Sequence, residues 1–281
     1  MSAGRGQVQA GERANMMNSK DGLIRARYDG QIARLVIDRP AKRNAMSLSM
    51  WLSVPAILRD IRAQRSVQLL IVEGQGDEAF SAGADIEELL SASKCRQAAE
   101  NYVDAIRSAE AALGDFDLPT LACIRGFCMG GGLELAMACD LRVATSDSRF
   151  AAPPARLGIT YSTSSTRRLA SLVGESRAKE FLFSAREIDA FEACRVGLIN
   201  QAYATENFEE HCAAYIERML RNSQRSIHNT KVIFDAIRHG AQFDPPEVRE
   251  LRVRGFSEVD FKEGVDAFRA RRPANFTWGR G

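Results

Sequence analysis

The chain is poor in the features that mark many ligand-binding proteins. Its six cysteines (Cys95, Cys123, Cys128, Cys139, Cys194 and Cys212) make no CxxC pair, and no histidine-rich tract accompanies them. A metal site is therefore not expected. Cys123, Cys128 and Cys139 lie in apolar segments and read as reduced, buried thiols. No apolar run reaches the roughly eighteen residues that a bilayer span needs. The best candidate, from Leu118 to Val143, is interrupted by Arg125, Glu134, Asp140 and Arg142. Neither sign of charge dominates: 38 Lys and Arg face 36 Asp and Glu, a net charge of +2. That balance argues against nucleic acid or a membrane surface as partner. No GxGxxG fingerprint, GxxxxGK[ST] phosphate loop or GxSxG elbow occurs, which removes the usual dinucleotide, nucleotide and serine-hydrolase readings. Residues 1–21 hold no apolar run of the secretory kind and read as a disordered leader, so a cytoplasmic location is expected.

What remains is ordinary globular composition: 281 residues, 45% hydrophobic and 26% charged, enough to bury a large core. Leu23–Arg25 and Ala33–Ile37 flank an Asp29-Gly30 turn and predict a hairpin. Ser47 is placed to cap a helix from Leu48 to about Gln64. Gln68–Glu73 reads as a buried strand, and Asp85 opens a helix with Glu88 three residues on, an acidic form of the capping box. A helix over Gln97–Leu113, a strand over Pro119–Ile124, a helix over Leu133–Ala138 and a strand over Leu141–Ala144 follow. Alternation of this kind implies crossover connections and parallel strands, an α/β arrangement. From about Ser176 the pattern turns almost wholly helical. The expected division is a core over residues 22–200 and a helical C-terminal region over 201–281.

Gly126-Phe127-Cys128-Met129-Gly130-Gly131-Gly132-Leu133-Glu134 is the most informative segment, set between a predicted strand and a predicted helix. Glycines there allow a sharp turn and close approach of a ligand to the backbone. Amides at a helix start have no intrahelical acceptor and can donate to an anion. Glu134 follows one helical turn after Gly131, so an anion site and a carboxylate lie together, a pairing suited to proton transfer at a carbon next to an enolate. Phe80-Ser81-Ala82-Gly83-Ala84-Asp85 also runs into a helix, and the Ala84 amide is a candidate second donor. The three histidines, His211, His228 and His239, all fall in the helical region and carry no catalytic expectation. Asp140 and Arg142 are expected to pair at a strand entry.

These segments, with Ile37-Asp38-Arg39-Pro40, Asn44-Ala45-Met46, Ala138–Ala144, Arg156-Leu157-Gly158, Ala193–Asn200, Glu263–Phe268 and Arg271–Phe276, resemble the crotonase superfamily, the enoyl-CoA hydratase/isomerase family. The resemblance spans about residues 22 to 276. It implies a spiral of ββα units with a C-terminal helical trimerisation region, a homotrimer or dimer of trimers, and an acyl-CoA thioester as substrate. Coenzyme A would enter as part of that substrate, with no metal or redox cofactor. By the same resemblance, the Ala84 and Gly131 amides hold the thioester oxygen and Glu134 is the catalytic carboxylate. Asn44, Ala82, Asp85, Ile86 and Gly130 would line the CoA site, and Phe268 and Arg271 would approach CoA from the C-terminal region. Trp51, Ile86, Leu89, Leu90 and Tyr161 are the candidates around the acyl tail.

One departure bears on the reaction. Family hydratases carry a second Glu in a stretch matched here by Ala152-Pro153-Pro154, and Pro154 stands at its position. Proline cannot carry a proton. Tyr161, in the loop that follows, is a candidate donor or orienting group. Hydration with one carboxylate, isomerisation, decarboxylation and acyl-CoA binding without catalysis all remain open.

Overall fold

The computed structural model describes residues 23–277; the predicted leader lies outside them. In chain order the first half comprises β1 (Ile24–Asp29), β2 (Ile32–Ile37), α1 (Leu48–Ala63), β3 (Leu69–Gly74), β4 (Ala79–Ser81), α2 (Ile86–Ala92), α3 (Arg96–Gly114), β5 (Thr120–Ile124), β6 (Phe127–Met129) and α4 (Gly131–Ala138). The second half comprises β7 (Leu141–Thr145), β8 (Arg149–Ala151), α5 (Thr163–Val173), α6 (Glu175–Ser184), β9 (Glu187–Asp189), α7 (Ala190–Arg195), β10 (Gln201–Tyr203), α8 (Phe208–Leu220), α9 (Gln224–Arg238), α10 (Pro246–Gly255) and α11 (Val259–Ala270).

The strands sort into two sheets. The larger runs β1-β2-β3-β5-β7-β10 and the smaller β4-β6-β8-β9. Among the described strands, only the hairpin β1–β2 and the pair β8–β9 are antiparallel. The remaining neighbours are parallel, as crossovers through helices require. After the opening hairpin, three successive turns each lay one strand in each sheet and then a helix: β3 and β4 precede α2, β5 and β6 precede α4, and β7 and β8 precede α5. The expected spiral of ββα units is therefore present, with helices at the C-terminus.

Periodicity accounts for the packing. β5 is buried at every position because helices and strands cover both faces. In α1, Met50, Trp51, Val54, Ile57, Leu58 and Ile61 form the inward stripe, and Ser47 caps the first turn by accepting from the Met50 amide. α4 is buried at all eight positions, so it runs through the interior with no solvent face. A second apolar cluster joins Leu69, Ile71, Leu121 and Val143 of the main sheet to Phe208, Cys212 and Ile216 of α8.

Several local readings differ from the structure. β9 and β10 interrupt the stretch that reads as helical. β10 pairs with β7, so the main sheet extends past residue 200. Asp140 and Arg142 serve separate partners. Asp140 accepts from the Thr120 amide and from Lys231, both at 2.7 Å. Arg142 is buried and donates to the carbonyls of Leu198 and Cys139, both at 2.8 Å. Cys123, Cys128 and Cys139 are free, buried thiols, as expected.

Candidate active site

The site forms where β4 and β6, neighbours in the smaller sheet, turn into α2 and α4. At the first corner, the Ser81 hydroxyl donates to the Asn44 carbonyl at 2.8 Å and accepts from the Gly83 amide at 3.1 Å. The backbone then bridges to Met46: the Met46 amide donates to the Gly83 carbonyl at 2.7 Å, and the Asp85 amide to the Met46 carbonyl at 3.0 Å. In an extended bridge successive peptide groups face opposite sides. The Ala84 N–H is thus turned away from Met46, and it donates to no protein acceptor among the described residues.

Asp85 caps α2, with its side chain accepting from the Glu87 amide at 2.9 Å. Glu88 does not close the reciprocal box. Arg39 Nη1 meets the other Asp85 oxygen at 2.6 Å. Burial alone pushes the Asp85 carboxyl up, but the bonds from Arg39 and from the amides of Glu87 and Glu88 outweigh it and hold the group below its ordinary range.

At the second corner, Gly130 adopts φ 51° and ψ −122°, a conformation open to glycine and closed to most side chains. Its amide donates to the Ala151 carbonyl at 3.0 Å. Gly131 is the first residue of α4, no side chain caps this helix, and the Gly131 amide has no acceptor among the described residues. A Cβ on Gly131 would stand 3.6 Å from the Ala84 nitrogen, so the two unpartnered amides lie side by side. The same Cβ would stand 3.0 Å from Cζ2 of Trp51, whose fully buried ring backs the corner.

Glu134 lies one turn along α4, 6% exposed. Burial, and then the negative charge of Glu110, push its carboxyl up to about 8. Glu110, on α3, is fully buried. Its Oε2 accepts from the Ser165 hydroxyl at 2.8 Å, and Arg168 Nη1 lies 3.7 Å away. Burial pushes the Glu110 carboxyl up as well, against the pull of these donors. Sequence reading missed Glu110. The available signal was a carboxyl beside the inward stripe of α3, which runs through Tyr102, Ala105, Ala109 and Leu113.

The remaining expected residues lie around these corners and on α11. Tyr161 is half-buried, and its hydroxyl donates to the Gly130 carbonyl at 2.9 Å. Burial, and then the charge of Glu134, push that phenol well above its ordinary range. Pro154 is buried at the start of a short 3₁₀ turn. Asn44 has a partner inside the chain for each polar group: its Nδ2 donates to Ala79 O at 2.6 Å and its Oδ1 accepts from the Arg39 amide at 2.9 Å. It shapes the loop before β4 with its side chain. Ala82, Ile86 and Leu90 are exposed beside the first corner, and Leu89 is half-buried. Phe268, on α11, is 86% exposed, and Arg271 ends that helix in a left-handed conformation. Among the described residues no His, Cys, Asp and Glu cluster could hold a metal ion, and no helix is long and apolar enough to cross a membrane.

Comparison with known proteins agrees with this architecture. The profile of the enoyl-CoA hydratase/isomerase family matches residues 27–279. A crotonyl-CoA hydratase from Syntrophomonas wolfei is 35% identical over 252 residues, covering 88% of this chain and 94% of that protein. A short-chain-enoyl-CoA hydratase from Clostridium acetobutylicum is 30% identical over 250 residues, covering 87% and 93%. Among solved structures, an enoyl-CoA hydratase/isomerase family protein from Hyphomonas neptunium superposes with a TM-score of 0.87 at 35% identity, covering 93% of this chain and all of that one. An enoyl-CoA hydratase from Bacillus anthracis reaches 0.80 at 27% identity, covering 90% and 98%. The chain belongs to the enoyl-CoA hydratase/isomerase family, within the crotonase superfamily.

Proposed function

We propose that the protein carries out enolate chemistry on an acyl-CoA thioester. The observation that carries this reading is the pair of unpartnered amides, Ala84 and Gly131, lying side by side next to a buried carboxyl whose proton affinity is raised toward neutrality. The thioester oxygen sits between the amides, which favour the oxyanion over the neutral carbonyl. Losing one such donor costs about 3 kcal/mol of transition-state stabilisation. Glu134 takes the proton from the α-carbon. The C–H pair becomes the enolate, and return of the proton to the γ-carbon completes an isomerisation. Starting from a 2-enoyl thioester, Glu134 gives its proton to the α-carbon and takes up the proton that water releases as its oxygen bonds to the β-carbon. Ala82, Asp85, Ile86 and Gly130 frame the entrance to the site.

Pro154 at the second hydratase position favours reactions that need one proton carrier at the α-carbon, isomerisation and decarboxylation among them, over two-carboxylate hydration. The protein is also proposed to act as a homotrimer or dimer of trimers. Phe234, Phe243, Phe256 and Phe268, all more than half exposed in the single chain, supply the apolar surface that such contacts cover. In that assembly Phe268 and Arg271 reach the bound CoA.

The test is turnover of crotonyl-CoA, followed by loss of the conjugated thioester absorbance, in the natural protein and in Glu134→Gln. A fall of about 100-fold or more in kcat/KM with CoA binding intact supports the reading. Full activity in Glu134→Gln overturns it. If the natural protein leaves crotonyl-CoA unchanged, the same pair is assayed with 3-enoyl-CoA and methylmalonyl-CoA. Tight CoA binding with none of the three turned over supports a non-catalytic acyl-CoA-binding role.

A further inference from the structure

Glu110 lies in none of the segments that carry the family resemblance, yet its carboxyl is fully buried beside Glu134. Burying an ionised carboxyl costs several kcal/mol unless donors and a cation meet it. Glu110 has both, but on one oxygen. Oε2 accepts from Ser165 at 2.8 Å and has longer approaches from Ser162 and Ser164 at 3.4 Å, with Arg168 at 3.7 Å. Oε1 is buried with no hydrogen-bond partner. Helix α3 packs against α4, which brings the Glu134 carboxyl beside Glu110, with Ser165 common to the surroundings of both. Two carboxyls bond to each other only when a proton lies between them, and two like charges at that range do not both persist.

We propose that Glu110 supplies the second carboxyl of this site, sharing one proton with Glu134 and so setting the charge that Glu134 presents to the acyl thioester. This rests on the role proposed for Glu134. Glu110 is a positioning residue, since it is sealed from solvent and acts through its neighbour. At rest the shared proton lies on Glu134 and Glu110 keeps its charge beside Arg168 and Ser165. When that proton crosses to Glu110, Glu134 is free to take the α-proton: the C–H bond breaks, its electron pair enters the enolate, and the pair then holds two protons. Returning one to carbon restores the one-proton pair. The other titratable groups around the pair are Tyr102 on α3 and Tyr161 before α5, both neutral at neutral pH, and Arg168 on α5, itself flanked by Asp115, Arg167 and Arg238.

The signs of two substitutions differ. Glu110→Gln removes the like charge and gives Glu134 an amide donor, so the limb of the kcat/KM–pH profile governed by Glu134 moves down by about one pH unit or more. Arg168→Met removes the nearby cation, and the same limb moves up. A merely structural role lowers the melting temperature of both variants and leaves the limb in place, which overturns the proposal. Glu134→Gln separates the two readings. If it is inactive while Glu110→Gln keeps the natural profile, the pair fails and the role of Glu134 stands. A second measurement needs no turnover: ¹³C NMR titration of glutamate carboxyls in the full-length chain, with Glu110→Gln and Glu134→Gln as assignments. The Glu134 resonance is expected to titrate about one pH unit or more lower in Glu110→Gln, and an unmoved midpoint overturns the proposal.

Discussion

Each of the two strand-to-helix corners carries a carboxyl, and the surroundings differ in kind. After β4, Asp85 receives the Glu87 amide and the Arg39 guanidinium, so its charge is held and α2 is fastened at its first residue. After β6, α4 starts on glycine with no side-chain cap, and its carboxyl, Glu134, faces another carboxyl. Each corner leaves one amide open, Ala84 at the first and Gly131 at the second. The first satisfies its carboxyl within the chain, whereas the second also leaves a proton-binding group for something that is not part of the chain. Functional sites commonly hold this kind of local deficit, compensated by packing elsewhere. Here the compensation is visible in α4, which is buried from end to end.

Four changes break or sharpen the contrast. The largest effect is expected from Gly132→Ala, where the corners touch. A Cβ there would stand 2.6 Å from the Ser81 carbonyl oxygen, so β4 and α4 must separate. A loss of about 3 kcal/mol in chemical denaturation is expected. Glu134→Gln should change stability in the opposite direction. In the folded chain this carboxyl holds its proton up to about 8. In the unfolded chain it does so only to about 4.3. The native fold therefore loses stability relative to the variant as pH rises between those values. The variant should melt about 5 °C higher at pH 9 and show no advantage at pH 4. Asp85→Asn, at the first corner, should cost about 1–2 kcal/mol. Asp85 is held below its ordinary value, so its contribution is present above about pH 4 and is lost as pH falls below that. Urea melts at pH 7 and pH 3 would read the difference. The smallest effect is expected from Tyr161→Phe, a roughly threefold to tenfold loss of kcat with stability changed by about 1 kcal/mol.

The parts legible in the sequence are those whose cause is local. Ser47 and Asp85 announce helix starts by chemistry confined to one turn, and both cap as read. The strand–glycine–helix order at Gly126–Glu134 is likewise fixed by neighbours in the chain. The parts that were not legible depend on distant partners. Glu110 lies 24 positions before Glu134, and its serine donors lie more than 50 positions after it. Asp140 and Arg142 look like a pair by spacing, yet their partners come from β5, α9 and the stretch before β10. β9 and β10 are three residues each, too short for an alternation to emerge, and exist because β8 and β7 offer them open edges. Asn44 shows the same limit at a single residue, since nothing nearby in the chain reveals that its side chain binds the backbone before and within β4.

The Gly130 carbonyl receives two donors at once, the Glu134 amide at 3.0 Å and the Tyr161 hydroxyl at 2.9 Å. That carbonyl and the Gly131 N–H belong to one planar peptide unit, so electron density drawn to the oxygen is withdrawn from the nitrogen through amide resonance. The Gly131 hydrogen becomes more acidic, and its resonance is expected to sit at lower field than in Tyr161→Phe. A phenol on one side of a peptide plane thereby tunes the donor strength offered on the other, and the tuning reaches the ligand through bond order rather than through contact.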